Sequence, residues 1–242
     1  MANAHRRKVL MSWSGGKDSA MALHRLQRDP RYEVVGLLTT MSRQFGRVSH
    51  HGVREELLDR QAEALGLPLQ KLWFGSADGD PAQATMAEFH RRLADILAAC
   101  RAAGTEHVAH GDIFLRSVRD YRDRRLAEVG MCGVYPLWGE DSTALLRAFT
   151  RDGFRAFVTC AEGPAERLAG VSLSSALLAD WPAGVDPCGE HGEFHTFVHD
   201  GPIFSRPVAV TRGVTVRRDG RLYTDLLPAD HESLPTSVSN HD

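Results

Sequence analysis

The chain has 242 residues, 43% of them hydrophobic and 25% charged. That length suits one large domain or a domain with a small appendage, and the composition excludes a largely disordered chain, a collagen repeat and a coiled coil. Lys and Arg number 29 against 31 Asp and Glu, a formal net charge of -2, so the chain has no global electrostatic hold on nucleic acid or on a membrane surface.

Basic residues open the chain, but the apolar run after them stops at Trp13. A secretory or membrane segment needs more, and no later stretch supplies about 18 consecutive apolar residues. Cys100, Cys132, Cys160 and Cys188 stand far apart without a CxxC pair, which argues against a zinc ribbon, an iron–sulfur cluster or a disulfide framework. A reduced, cytoplasmic protein with no membrane partner is expected.

In chain order, residues 8–13 (KVLMSW) read as a strand that ends in Ser14-Gly15-Gly16, and a helical stripe of Ala20, Leu23 and Leu26 follows from Lys17. Residues 33–41 read as a buried strand, 53–65 as a helix stopped by Gly66, and 67–74 as a strand. Asp80-Pro81 has the look of an N-cap and first-turn proline opening a helix to about Ala103. Then come a strand at 106–110, a charged helix at 115–129, a candidate strand at 134–138, a helix at 142–152 and a strand at 154–160. Such alternation predicts an α/β fold: a parallel sheet covered by helices on both faces. After about Val171 the texture changes to a short helix at 174–181, Gly/Pro-rich loops and β-like runs at 194–198, 203–211 and 215–226, the last broken at Asp219-Gly220 as in a hairpin. The expected organisation is an α/β unit over 1–165, a smaller, mostly β region over 166–228 and a loose tail over 229–242.

The strongest chemical signal is Ser14-Gly15-Gly16-Lys17-Asp18-Ser19, between a predicted strand and a predicted helix. A helix N-terminus there offers unpaired N–H groups and a partial positive charge. Two glycines admit an anion close to the backbone, Lys17 adds a charge, and Ser14 and Ser19 can donate hydroxyls. This is chemistry for a phosphate or pyrophosphate. It is neither the Walker loop nor the dinucleotide fingerprint, because neither glycine spacing is present.

This SGGKDS string resembles the signature of the PP-loop ATP pyrophosphatases, a branch of the adenine nucleotide α-hydrolase fold with a Rossmann-like sheet. The resemblance implies ATP and Mg2+ as cofactors and cleavage between the α and β phosphates. His110-Gly111-Asp112-Ile113, Tyr135-Pro-Leu-Trp-Gly139 and Asp186-Pro-Cys-Gly-Glu-His-Gly-Glu-Phe-His-Thr-Phe197 are similar to the diphthine–ammonia ligase family, with His191 standing where that family's motif usually reads Asn. The implied reaction is adenylation of a small-molecule or protein carboxylate and its amidation by ammonia. Two alternatives stay open, a tRNA sulfur-transfer enzyme using Cys160 or Cys188 and a non-catalytic ATP-binding sensor. No nucleic-acid partner is expected, and a homodimer is the oligomeric expectation.

Residues 186–196 gather Glu190, Glu193, His191, His195 and Cys188. Glu190 and Glu193 are candidates to bind the ammonium ion and His195 to take its proton; alternatively these groups merely satisfy one another in a turn into a strand. Gly111 and Asp112 fall at a strand's carboxyl end, the ligand edge of open α/β sheets. Asp112 either holds the metal or a substrate amine, or caps the next helix. At the same edge the adenine is expected against the backbone of 37–40, including Thr39, with His51 and Arg54 nearby.

Overall fold

The computed structural model describes residues 6–75 and 85–230. Strand and helix alternate through β1 (Arg7–Ser12), α1 (Lys17–Arg28), β2 (Tyr32–Ser42), a two-residue β3 (Arg47–Val48), α2 (Glu55–Leu65) and β4 (Leu69–Phe74), then α3 (Met86–Ala102), β5 (His107–Ala109), α4 (Arg116–Ala127), β6 (Cys132–Val134) and α5 (Ser142–Arg151). The parallel strands lie in the order β4-β2-β1-β5-β6. The chain winds outward from β1 through β2 and β4, then returns and winds the other way through β5 and β6. That reversal leaves a crevice at the carboxyl ends of β1 and β5, where open sheets of this kind take ligands.

Alternation of side chains across the pleat explains the layering. Val9 and Met11 of β1 join Leu23, Leu26, Leu57 and Leu58 of α1 and α2 on one face. Leu10 joins Leu38, Leu72, Val108, Leu97 and Leu126 under α3 and α4 on the other. Capping is local and conventional. The Thr85 hydroxyl accepts from Glu88 N at 3.2 Å, the Asp141 carboxylate from Ala144 N at 2.8 Å, and Gly66 closes α2 with φ 66°. The helix expected from Asp80-Pro81 starts at Met86; Asp80 and Pro81 themselves lie outside the described residues, as does the tail beyond Asp230.

β7 (Arg155–Glu162) does not extend the parallel sheet, as the alternation led us to expect. It pairs antiparallel with β8 (Phe194–Asp200) and β10 (Arg221–Pro228), and β10 pairs with β9 (Val210–Arg218), giving a second sheet in the order β8-β7-β10-β9. The β9–β10 hairpin turns at Asp219-Gly220, both with positive φ, as anticipated. Three other expectations are corrected. The strand expected at 134–138 is β6 ending at Val134 and then a turn, because Pro136 offers no N–H to a ladder. Residues 203–209 are loop around Pro207, and the strand begins only at Val210. The helix at 174–181 is a short 3-10 segment, Ser175–Asp180. Phe194, Phe197 and Val158 of the second sheet share the apolar cluster of α1 and α2, so the two sheets enclose one core between them.

Candidate functional site

The turn after β1 is built by close packing. Gly15 sits at φ +77°, and a Cβ there would stand 2.6 Å from Gln61 Oε1; one at Gly16 would stand 2.7 Å from His51 Cε1 and 3.1 Å from the Thr196 carbonyl. Ser14 Oγ accepts from Gly16 N at 3.2 Å and lies 3.2 Å from Ser19 Oγ. Ser19 Oγ in turn donates to Gly16 O at 2.9 Å. Gly111, just after β5, abuts the same turn: a Cβ would be 2.8 Å from the Asp18 carbonyl carbon and 2.9 Å from Ser19 N. The two loops at the sheet's reversal therefore touch through a glycine.

Gln61, missed in the sequence, organises this turn from α2. Fully buried, it accepts from Trp13 Nε1 at 3.0 Å and donates to Gly15 O at 3.1 Å and to Val198 O at 2.6 Å. A Gln in the apolar stripe of Leu57, Leu58 and Ala62 was the available signal. β8 also reaches the turn directly, through Val198 N to Gly15 O at 2.9 Å and Thr196 Oγ1, which accepts from Lys17 N at 3.0 Å.

Lys17 is buried, with Nζ donating to Asp18 Oδ2 at 2.8 Å and to the Cys188 carbonyl, 5.1 Å from the centre of the Phe194 ring. Burial alone pulls its pKa down, but Asp18 foremost, with Cys188 and Glu190, outweighs burial, and the ammonium is held above its ordinary value. Asp18 is pushed up by burial and by the nearby Asp186 and Asp112, against the pull of Lys17. Asp18 Oδ2 and the Cys188 carbonyl share Lys17 Nζ, which sets Asp18 beside the 186–190 loop.

That loop is shaped by Asp186, whose Oδ1 accepts from Cys188 N at 2.9 Å and Glu190 N at 3.2 Å. Glu190 Oε1 accepts from Ile113 N at 2.8 Å and Phe114 N at 3.3 Å, which ties the loop to the segment after β5. Burial, then Asp18 and Asp112, raise the Glu190 pKa. Glu193 Oε1 accepts from Asp186 N at 2.9 Å, while its Oε2 is buried without a partner among the described residues. Asp112 faces Arg122, with Oδ2 2.8 Å from Nε.

A cavity of about 420 Å³ opens at the carboxyl ends of β1 and β2, lined by Ser14, Thr39, Thr40, His50, His51 and His195 with Phe89 of α3. The His51 and His195 rings are 4.6 Å apart, and His51 Nδ1 lies 2.9 Å from the Thr196 carbonyl. Burial holds His51 down to about 4 and His195 well below its ordinary value, so both are neutral imidazoles at pH 7. The structure thus gathers Ser14, Thr39, His51 and His195 around one cavity, with Gly15, Gly16 and Ser19 in the adjoining turn. Lys17, Glu190 and Glu193 are not in that cavity's lining; the two glutamates sit in the 186–193 loop. Arg54 does not line the cavity. Its guanidinium grips Asp225 of β10 at 2.6 and 3.0 Å.

Among the described residues no helix is long and apolar enough to cross a membrane. No curated protein matches the chain. A family model described as the diphthamide synthase N-terminal domain matches residues 7–132, more than half of the chain, and one described as the diphthamide synthase C-terminal domain matches residues 142–223. With a doubly wound sheet, a glycine turn at its reversal and both domain models matched in order, the chain belongs to the diphthamide synthase family, the diphthine–ammonia ligase family of PP-loop type.

Proposed function

We propose that the chain is an ATP-dependent, AMP-forming ligase that adenylates a carboxylate and converts it to an amide with ammonia. The observation that carries this reading is the cavity of about 420 Å³ beside a glycine turn too tight for a Cβ, at the reversal point of the sheet. The turn from Ser14 to Ser19 takes the phosphates, and Thr39 and His51 flank the adenosine. Gly111 keeps the neighbouring loop close enough to complete the cradle, and Arg54, through Asp225, positions the segment that carries His51.

In the first step an acceptor carboxylate oxygen attacks the α-phosphorus and pyrophosphate leaves. Lys17 offsets the charge that builds there. In the second, ammonia attacks the acyl carbon and AMP leaves with the bonding electrons. Glu190 and the unpartnered Oε2 of Glu193 are acceptors for an ammonium ion, and the neutral imidazole of His195 takes its proton.

Mg2+ fits the charge of this region. Asp18 and Glu190 are each raised in part by neighbouring carboxylates, a surplus that a divalent cation relieves. Among the described residues no group of three or more His, Cys, Asp or Glu forms a metal cage. Asp112 would hold the ion, which when bound supplies charge neutralisation at the phosphates. Sulfur transfer fits less well, since burial pushes both the Cys160 and Cys188 thiols up and away from the reactive thiolate.

The deciding experiment incubates the protein with ATP, magnesium, ammonium and a panel of carboxylates and quantifies AMP and pyrophosphate. Glu193→Gln and His195→Ala are expected to lower AMP formation ~10²–10⁴-fold, with ATP affinity nearly intact in Glu193→Gln. Release of ADP instead of AMP, or normal turnover by both variants, overturns the assignment.

A further inference from the structure

A second cavity, of about 470 Å³, lies beside the first. One wall is the β2–β3 hairpin and the other the β9–β10 hairpin. Six large apolar side chains are exposed among the described residues, and three of them, Phe45, Val214 and Val216, at 45%, 70% and 47% exposure, line this one space. Scattered apolar side chains on a surface need no explanation, but a cluster in a concavity does. Arg218 lines the cavity beside Asp219, with its guanidinium 4.6 Å from the Phe45 ring, and ion-pairs with no carboxylate among the described residues.

The two cavities adjoin. Val48, Ser49, His50 and Phe74 line both. At that shared wall the Ser49 hydroxyl and the exposed His50 imidazole make no hydrogen bond among the described residues, so both are available to a ligand there. The space has the volume of a small-molecule site, an apolar body, Ser49 and the exposed His50 at the wall it shares with the first cavity, and the Arg218 cation in its lining.

We infer that this second cavity binds the acceptor, and that the acceptor is a small carboxylic acid with an apolar, ring-sized body. The body lies between the two hairpins, the carboxylate meets Ser49 and His50 next to the nucleotide cavity, and Arg218 favours the approach of an anion. The identity of this ligand as the acceptor rests on the ligase reading above; its binding in the cavity does not.

The test uses the full chain with 3-phenylpropionate and its matched alcohol, 3-phenylpropan-1-ol, followed by methyl NMR without ATP. The acid is expected to shift the methyls of Val48, Val214 and Val216 and to bind about tenfold tighter than the alcohol. Val216→Asp is expected to abolish binding of both probes, and Val214→Asp, at the more exposed position, serves as a second variant; both keep magnesium-ATP affinity. Ser49→Ala is expected to remove most of the preference for the acid. Acid that shifts other methyls, shifts none, or binds both aspartate variants as tightly as the unsubstituted chain overturns the inference. If the acid binds here yet no carboxylate supports AMP formation, the ligase reading fails alone. If a carboxylate supports AMP formation that the aspartate variants leave unchanged, the inference fails alone.

Discussion

The backbone N–H of Lys17 donates to the side-chain hydroxyl of Thr196 at 3.0 Å, across 179 positions of sequence. A donor at the first turn of α1 is thereby satisfied by the second sheet. Thr196→Val leaves that buried N–H unpaired, at a cost of about 1–3 kcal/mol, or a fall in Tm of about 2–4 °C per kcal/mol at this size. If the phosphates of ATP take the same N–H, the nucleotide repairs the defect. Saturating magnesium-ATP should then raise the Tm of Thr196→Val more than that of the unsubstituted chain. An equal or smaller rise excludes Lys17 N as a phosphate donor.

The two glycines of the turn are expected to respond differently. Gly15→Ala places a side chain at φ +77° and against Gln61 Oε1, so it lowers stability by about 1–3 kcal/mol. Gly16 has φ -90°, where any residue is at ease. Gly16→Val instead fills the space between His51 and Thr196 and is expected to weaken ATP binding by about tenfold or more while the fold survives. Calorimetric titration with ATP beside circular-dichroism melting separates the two outcomes.

Gln61→Leu keeps the bulk and removes three hydrogen bonds, leaving Trp13 Nε1 and Val198 O without this partner. A loss of about 2–4 kcal/mol is expected in urea unfolding, because buried polar groups would be left unpaired. Gln61→Glu, which keeps an acceptor for Trp13 but loses the donor, should also destabilise. A Gln61→Leu variant as stable as the unsubstituted chain would show that the turn holds its shape unaided.

Stability should fall on mild acidification. His51, held to about 4 by burial, binds a proton less readily when folded than its ordinary value of about 6.5 allows unfolded. Its contribution is complete above about pH 6.5 and is lost as the pH falls toward 4. His195 and His50 act in the same direction. Asp18 and Glu190, raised in the folded chain, act oppositely and bind protons more readily when folded. Comparison of the Tm–pH profile with that of His51→Gln isolates one group. The variant should lose less stability than the unsubstituted chain between pH 6.5 and 4.5, and identical slopes would refute a buried neutral His51.

The glycine turn and the strands around it were legible because their signals are local: apolar runs, helix caps and six consecutive residues of one motif. β7 was legible as a strand but not as a member of the second sheet, since apolar patterning over 154–160 reports burial and not the partner. The loop at 203–209 was misread for a related reason. Ile203 and Val208 are buried as they would be in a strand, but Pro202 and Pro207 deny the ladder its donors. Gln61 and Thr196 escaped because their roles depend on contacts between segments more than 40 residues apart. Arg54 looked like a nucleotide contact from its place after the second strand, and only the fold reveals Asp225 beside it.

Because β8 closes the glycine turn, completion of that turn waits on completion of the chain. During synthesis the five strands of the parallel sheet can emerge and pair, yet Lys17 N lacks its Thr196 partner and Gly15 O has only the Gln61 side chain until residues 196–198 follow. At about 5–20 residues per second that interval lasts several seconds. A polypeptide halted before β8 lacks the His195 side of the cavity and, on the ligase reading, would be expected to bind ATP more weakly than the full chain.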